Sequence, residues 1–331
     1  MKVAVLAPVA WRSPPRHSGP WEQVASNVAE GLVAAGVDVT LFATADSVTA
    51  GTLAAVVARG YEEDRTQDAK VLECLHISHL MERAGEFDLI HNHFDFLPLT
   101  YSQLIPTPMV TTIHGFSSER ILPVYQKYAA TSAYVSISHA DRHPTLPYAA
   151  TVYNGLRVAD FTFVAQPDEY LLFLGRIHPD KGAREAIQIA RQSGRRLLLA
   201  GIVQDQAYFE AWVKPYLNEF IEFLGPVGPE QRNLLLGHAA ALLHSIRFEE
   251  PFGLSVAEAQ LCGTPVIAFN RGSMPELLRH QQTGFLVRNV AEAVAAVRQL
   301  ERAACRAWAV AEFSQQKMVA DYLVVYQGLV K

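Results

Sequence analysis

The chain has 331 residues, of which 50% are hydrophobic and 18% are charged, and its formal net charge is −5. This composition predicts a folded chain with room for two ordinary domains. The charges form no basic stripe, which argues against a nucleic-acid partner. No stretch reaches the roughly 18 consecutive apolar residues that a membrane span requires. The sequence shows no basic amphipathic helix of the kind that binds a membrane surface.

The start of the chain and its cysteines bear on the compartment. Residues 2–7 form a strand-like apolar run, and no signal peptide with a small-residue cleavage site is visible. Cys74, Cys262 and Cys305 are an odd number of cysteines and are widely spaced. Such cysteines are typical of reduced thiols in the cytosol. We therefore expect a cytoplasmic protein, and the sequence leaves its oligomeric state open.

In the first half, short apolar runs predict strands that alternate with amphipathic helices. A helix is expected over 21–35, where Trp21, Val24, Val28 and Leu32 recur at spacings of three and four and so share one face. The predicted strands are 2–7, 39–44, 88–93, 109–114, 134–138 and 150–153.

The second half repeats this alternation after a linker at residues 166–168. It opens with a strand at 170–174 and a helix near 182–193, and a last helix is expected over 314–330. The other predicted strands are 196–201, 221–225, 241–245, 265–269 and 284–287. Alternating strands and helices favour parallel sheets, so two doubly wound α/β domains are the simplest architecture. In such sheets ligands bind at the carboxyl ends of the strands.

The strongest motif is the stretch EPFGLSVAE at residues 250–258. A helix is expected to start near Ser255, which would put Glu258 in its first turn, where an ionised carboxylate can accept two ribose hydroxyls. Glu250 lies before the turn. The alternative interpretation is structural, since Ser255 and Glu258 match a helix capping box. The turn can also offer backbone amides to a phosphate or sugar oxygen, from Phe252, Gly253 and Leu254.

A second motif is the loop GRIHPDKG at residues 175–182, directly after a predicted strand. It is not a Walker A loop, because no Gly-Lys-Ser/Thr sequence follows. Arg176 and Lys181 put two cations at the carboxyl edge of a sheet, where they can neutralise a leaving diphosphate without a metal. An ordinary solvated loop is the alternative interpretation.

Together, the two motifs resemble those of the retaining glycosyltransferases of family GT4. The Gly-Arg-x-x-x-x-Lys-Gly loop is followed about seventy residues later by Glu-x-Phe-Gly-Leu-x-x-x-Glu-Ala, and the similarity continues through 261–267, 272–276 and 283–287. It covers nearly the whole second half and is specific there. The resemblance implies the GT-B fold, an α/β architecture in which two Rossmann-like, doubly wound domains face an interdomain cleft.

The resemblance also implies domain limits. Residues 1–160, joined by the C-terminal helix 314–331, would form the acceptor-binding domain. Residues 161–313 would form the domain that binds the nucleotide-sugar donor. The return of the last helix to the first domain follows from the family's fold.

Roles for individual residues follow from the resemblance as well. Arg176 and Lys181 would bind the donor diphosphate and act in catalysis. Glu250, also assigned to catalysis, would contact hydroxyls of the transferred sugar. Glu258 would hold the ribose hydroxyls, and Leu224 with its neighbouring backbone would contact the base. The amides expected to contact sugar and phosphate oxygens are those of Phe252, Gly253 and Leu254.

The first half matches the family less closely. The family's Gly-Gly-x-Glu-like loop corresponds here to residues 18–22, Ser-Gly-Pro-Trp-Glu, with one glycine lost and a proline gained. Gly19 is still expected to let the backbone approach the donor. How the altered loop contacts the acceptor stays open. His114 ends a predicted strand and matches a family histidine that contacts the donor sugar or its phosphate. It is the first-domain catalytic candidate, with a structural histidine as the alternative.

The stretch His91-Asn92-His93 resembles a metal site only superficially. We expect His91 and His93 to lie on opposite faces of their strand and so not to converge on one ion. No Asp-x-Asp pair of the kind that holds a metal-bound diphosphate is visible. We therefore predict no metal and no cofactor besides the nucleotide sugar, which is a co-substrate.

The activity implied is transfer of a hexose from a nucleoside-diphosphate sugar to an acceptor hydroxyl, with retention of configuration. UDP-glucose is the first choice of donor and GDP-mannose the second, from family frequency. The short first domain and acidic balance favour a small soluble acceptor, a sugar or metabolite. Two alternatives stay open. One is a nucleotide-sugar epimerase, which needs no acceptor, and the other is a non-catalytic homologue that only binds a nucleotide sugar.

Overall fold

The computed structural model describes residues 1–16, 19–116, 118–296 and 300–330. The chain divides into two compact units. The first is Met1–Gly155 together with the C-terminal segment that begins at Gln315, and the second is Leu156–Ser314. The limits expected from the sequence, after residue 160 and at residue 314, lie a few residues from these.

The strands coincide with most of the predicted apolar runs. Those of the first unit are β1 (Lys2–Leu6), β2 (Asp38–Phe42), β3 (Thr52–Ala54), β4 (Leu89–Asn92), β5 (Met109–Ile113), β6 (Ser132–Ser136) and β7 (Tyr148–Thr151). Those of the second unit are β8 (Leu171–Leu174), β9 (Leu197–Ala200), β10 (Ile221–Gly225), β11 (Ala241–His244), β12 (Val266–Phe269) and β13 (Gly284–Val287). The three-residue strand β3 was not predicted.

The helices alternate with these strands along the chain. They are α1 (Pro20–Ala34), α2 (Ala69–Met81), α3 (Leu122–Tyr128), α4 (Ala183–Ser193), α5 (Gln206–Trp212), α6 (Pro229–His238), α7 (Leu254–Leu261), α8 (Met274–Leu277), α9 (Val290–Ala296), α10 (Arg302–Phe313) and α11 (Gln315–Gln327). Of the described helices, none is both long enough and apolar enough to cross a membrane.

Each unit contains a parallel sheet. The first has the order β3-β2-β1-β4-β5-β6-β7 and the second the order β10-β9-β8-β11-β12-β13, and every pairing between described strands is parallel. This is the doubly wound order of Rossmann-like domains, and it confirms the predicted fold class. The strand order reverses between β1 and β4 and again between β8 and β11. Ligands of such sheets bind beside the carboxyl ends of these strands.

Continuous apolar strands explain why the chain forms these sheets. Residues 3–6 of β1 are fully buried, and residues 266–269 of β12 are at most 9% exposed. Runs without hydrophobic alternation are typical of parallel strands that are covered by helices on both faces. The predicted strands therefore mark the core of each unit.

Helix α1 starts directly beside the switch point of the first sheet. Gly19 is its N-cap with φ 136°, and Pro20 occupies the first helical position, where its missing N–H costs nothing. Val24, Val28 and Leu32 lie on its buried face, as their spacing predicts. The helix begins one residue earlier than expected from the sequence.

Candidate functional site

In the second unit, the GRIHPDKG loop connects β8 to α4 at the carboxyl edge of the sheet. Gly182 ends the loop with φ 74°, and a Cβ placed there would lie 1.8 Å from the carbonyl oxygen of Ser245. Only glycine permits this approach. The Ser245 hydroxyl also donates to the Gly182 carbonyl at 2.7 Å. The loop is therefore fixed against the end of β11, next to the EPFGLSVAE segment.

This packing brings Lys181 and Glu250 together. The Lys181 Nζ lies 2.5 Å from the Glu250 Oε2, and the two side chains are only 17% and 13% exposed. The ammonium also lies 4.6 Å from the centre of the Phe248 ring. The lysine expected at the diphosphate and the glutamate expected at the sugar thus form one largely buried ion pair.

Arg176, the other predicted cation, is placed differently. Its side chain is exposed, and its guanidinium donates to the Gln204 side chain. The structure therefore does not join Arg176 to the Lys181–Glu250 pair. Its neutral, exposed partner can be displaced by an anion without leaving a buried group unpaired.

His244 was not singled out by the sequence, yet it lies beside this pair. It is the last residue of β11 and is 6% exposed, and its Nε2 lies 3.8 Å from the Glu250 Oε2. Burial lowers the pKa of His244 to about 4, while Glu250 raises it and Lys181 lowers it. The imidazole is therefore neutral near pH 7. No sequence motif includes it, and only its position at a strand end could have drawn attention to it.

The turn before α7 depends on Gly253. This residue is the N-cap of the helix with φ 92° and ψ 68°, and an added Cβ would lie 2.9 Å from the Met274 Cε. The left-handed conformation starts the helix at Leu254, so the prediction that Glu258 lies in the first turn is wrong. The predicted Ser255–Glu258 capping box is wrong for the same reason, since the cap is a glycine without a side chain.

The other motif residues of the turn differ in exposure. Phe252 is buried, and its carbonyl accepts a hydrogen bond from the Ser273 hydroxyl at 2.6 Å. Leu254 is half-buried and is the first helical residue, so its N–H has no partner within the helix. The N–H of Gly253, the N-cap, has no partner within the helix either, so helix geometry leaves the amides of both Gly253 and Leu254 without an intrahelical partner.

Glu258 is buried and paired with a residue that the sequence did not indicate. The Arg232 guanidinium, from α6, lies 3.4 Å from its Oε1, and Glu258 is 5% exposed. Burial raises the pKa of Glu258, and Arg232 opposes this shift. Leu224, expected at the base, is 36% exposed near the end of β10, where the pairing with β9 shifts its register.

In the first unit, Gly19 forms a tight turn around a buried carboxyl group. A Cβ at Gly19 would lie 3.0 Å from both the Glu22 Oε2 and the Pro15 Cβ. Glu22 accepts a hydrogen bond from the Trp11 N–H at 3.2 Å, and burial raises the pKa of Glu22 to about 7. Ser18, part of the altered loop, lies outside the described residues.

His114 follows β5 and is packed between two rings. It stacks on Trp21 with centroids 5.7 Å apart, and its Nε2 lies 2.9 Å from the Nδ1 of His93. Burial lowers the pKa of His114 to about 3, so the ring is neutral. It can therefore offer a hydrogen bond to a sugar or phosphate oxygen without carrying charge.

The prediction that His91 and His93 lie on opposite faces is wrong. Their ring centroids are 4.1 Å apart, because residues i and i+2 of an extended chain share a face. His91 is held by Thr112 through its Nε2 at 2.7 Å and by the Tyr326 hydroxyl through its Nδ1 at 2.6 Å. Among the described residues, no group of three or more His, Cys, Asp or Glu side chains could hold a metal ion.

Comparison with known proteins gives two family matches. The model described as "Glycosyltransferase Family 4" matches residues 21–152, and the model described as "Glycosyl transferases group 1" matches residues 160–307. Among curated proteins, glycogen synthase of Mycobacterium tuberculosis is 25% identical, over 95% of this chain and 90% of that enzyme.

Solved structures share the fold over the whole chain. A glycosyltransferase involved in avilamycin A biosynthesis is 25% identical, with a TM-score of 0.77 over 100% of this chain and 98% of that one. The Anabaena protein HepE, in complex with UDP and glucose, is 18% identical, with a TM-score of 0.72 over 99% of this chain and 100% of that one. With both units matched by glycosyltransferase models, the chain belongs to the GT4-type glycosyltransferases and has the GT-B fold.

Proposed function

We propose that the protein is a retaining, metal-independent hexosyltransferase that uses a nucleoside-diphosphate sugar. The observation that carries this proposal is the Lys181–Glu250 pair at the switch point of the second sheet. A largely buried ammonium matches a diphosphate, and a carboxylate matches the hydroxyls of a sugar. Glu258 lies one to two turns into α7 and supplies the carboxylate for the ribose.

UDP-glucose is the favoured donor and GDP-mannose the next. The structural likeness to HepE, which was crystallised in complex with UDP and glucose, supports this order. We propose a hydroxyl of a small soluble sugar or metabolite as the acceptor.

In the reaction, the acceptor oxygen forms a bond to the anomeric carbon on the face from which the diphosphate leaves. The bond between the anomeric carbon and the phosphate oxygen breaks, and the acceptor proton passes to that phosphate oxygen. Lys181, joined by Arg176 once it leaves Gln204, neutralises the charge that develops on the diphosphate. The neutral His114 would hydrogen-bond the sugar or a phosphate oxygen.

The test is release of UDP from UDP-glucose with a panel of small sugar acceptors, in buffer that contains EDTA. Lys181→Met should lower the rate on the order of 10²–10³-fold. Lys214→Met is the matched control, since Lys214 is an exposed lysine paired with Glu210, and it should leave the rate unchanged. NMR of the product should show the donor's anomeric configuration.

Other outcomes would contradict the proposal in distinct ways. Loss of activity in EDTA would contradict metal independence, and an inverted product would contradict retention. Conversion of the donor sugar without acceptor would indicate an epimerase. Nucleotide binding without any turnover would favour the non-catalytic homologue.

A further inference from the structure

The imidazole of His244 is a buried hydrogen-bonding group whose Nε2 has no hydrogen-bond partner among the described residues. The ring lies at the carboxyl end of β11, and its Nε2 is directed towards the Glu250 Oε2 at 3.8 Å. Leaving a buried polar atom unpaired is costly, and such atoms in native proteins require an explanation.

The position of the ring is fixed by its surroundings. A Cβ at Gly253 would lie 3.6 Å from the His244 Nε2 and 3.6 Å from the Glu250 Cγ, so the glycine turn lies directly beside both side chains. An ionised carboxylate only accepts hydrogen bonds. A neutral imidazole can therefore hydrogen-bond the Glu250 carboxylate through Nε2 only in the tautomer that carries the proton on Nε2.

Lys181 already donates a hydrogen bond to the same carboxylate oxygen of Glu250. Its Nζ lies 2.5 Å from the Glu250 Oε2, the atom that His244 faces. If Lys181 turns to a diphosphate, Glu250 loses its charged partner while it stays largely buried. Removal of one partner from a buried ion pair is strongly unfavourable unless another donor replaces it. His244 is the adjacent donor.

We propose that His244 is a positioning residue. When the donor diphosphate draws Lys181 away, the imidazole replaces Lys181 as the hydrogen-bond donor to Glu250. The Nε2–H of His244 then holds the Glu250 carboxylate in place for the hydroxyls of the transferred sugar. This inference rests on the proposed function. It assigns to a histidine outside the sequence motifs the task of keeping the sugar-binding carboxylate oriented.

The first experiment uses the ligand-free protein and does not depend on the donor. NMR of ¹⁵N-histidine-labelled protein should show His244 as the Nε2–H tautomer near pH 7. The charged groups that face it are Glu250, from the segment after β11, and Lys181, from the loop after β8. Lys181→Met should raise the pKa of His244 on the order of one unit. The substitution removes the positive charge of Lys181, which lowers this pKa, and keeps the Glu250 carboxylate, which raises it.

The second experiment compares the binding of UDP and UDP-glucose by calorimetry. His244→Leu should weaken UDP-glucose on the order of tenfold, because Glu250 is then left unpaired and is no longer oriented towards the sugar hydroxyls. UDP should be weakened less, because it has no sugar for Glu250 to contact and only the cost of the unpaired carboxylate applies. His244→Gln, which can place an N–H near the Nε2 position, should restore most of the affinity. Melting temperatures of both variants establish that they fold.

The outcomes separate this inference from the proposed function. Equal weakening of UDP and UDP-glucose, or no rescue by His244→Gln, would show a merely structural role and overturn it. An Nδ1–H tautomer, or a pKa that does not respond to Lys181→Met, would overturn it as well. If the wild type binds neither compound, the UDP-glucose proposal fails, and the NMR result alone decides on His244.

Discussion

Buried histidines of the first unit stay neutral because the fold removes them from water. Burial lowers the pKa of His76 to about 4 and that of His91 to about 3, and it lowers the pKa of His93 well below its usual range. Neutral rings can lie as close as His91 and His93 do without mutual repulsion. Glu22 titrates in the opposite sense, since burial raises its pKa to about 7.

The lowered pKa of His76 makes the folded protein less stable as the pH falls. Below about pH 6.5 the unfolded chain binds a proton at this histidine and the folded chain does not, so acidification costs stability until the folded pKa is reached. Its Nε2 and the Ala7 carbonyl oxygen are 2.9 Å apart. In His76→Gln, the glutamine amide can donate to the same carbonyl but binds no proton. As the pH is lowered from about 6 to about 5, the free energy of unfolding should therefore fall less steeply than in the wild type, the two slopes differing by about 1.4 kcal/mol per pH unit.

Urea unfolding at several pH values measures this difference. His139→Gln, at an exposed position, is the matched control and should keep the wild-type slope. Identical slopes for the wild type and His76→Gln would contradict a buried neutral His76. The comparison uses the difference between the slopes of variant and wild type, because the raised pKa of Glu22 offsets part of the wild-type slope itself.

At this scale the sequence predicts motif residues but not their contacts. Lys181 and Glu250 were both assigned from their motifs, and their ion pair arises only when the loop after β8 packs against the end of β11. Arg232 and His244 belong to no motif, and tertiary packing alone places them beside Glu258 and Glu250. Such neighbours cannot be inferred from local patterns.

At the scale of elements, the long apolar strands were predicted well and the marginal elements were not. Strand β3 has three residues, too few to show a period. Helix α2 exposes Val71 and Leu75 while it buries Ile77 and Leu80, so its apolar residues do not mark one face. The start of α7 was misplaced because a left-handed glycine, rather than Ser255, caps it.

Gly253→Ala tests that cap. The alanine would combine a strained backbone, at φ 92°, with a clash against the Met274 Cε at 2.9 Å. Gly194→Ala is the matched control, because Gly194 has φ 65° and an added Cβ would meet no atom within 4 Å. We expect the control to cost about 1–2 kcal/mol of unfolding free energy and Gly253→Ala to cost on the order of 1–3 kcal/mol more.

Donor binding should distinguish the two variants further. Gly253→Ala should weaken UDP-glucose, because the turn carries Glu250 and the start of α7, whereas Gly194→Ala should not. Equal stability and equal affinity in both variants would show that the turn tolerates a side chain and is not a close-packed part of the site.

At the scale of the whole molecule, the two Rossmann-like units supply complementary groups to the proposed reaction. The second contains the charged side chains that we propose bind a diphosphate sugar, and the first contains a neutral histidine and a glycine turn at the end of its own sheet. The fold class followed from the alternation of strands and helices. The family followed from motifs concentrated in the second unit, and the comparisons extend it to the first.

The most direct test of the account is a thermal-melting panel with UDP, GDP, ADP and dTDP on the wild type and Glu258→Ala. A nucleotide that binds the folded protein at 100 times its Kd stabilises it by about 2.7 kcal/mol, which is readily seen as a higher melting temperature. We expect one nucleotide, UDP first, to raise the melting temperature of the wild type and to lose this effect in Glu258→Ala. No shift with any nucleotide would contradict a nucleotide-sugar site in the second unit.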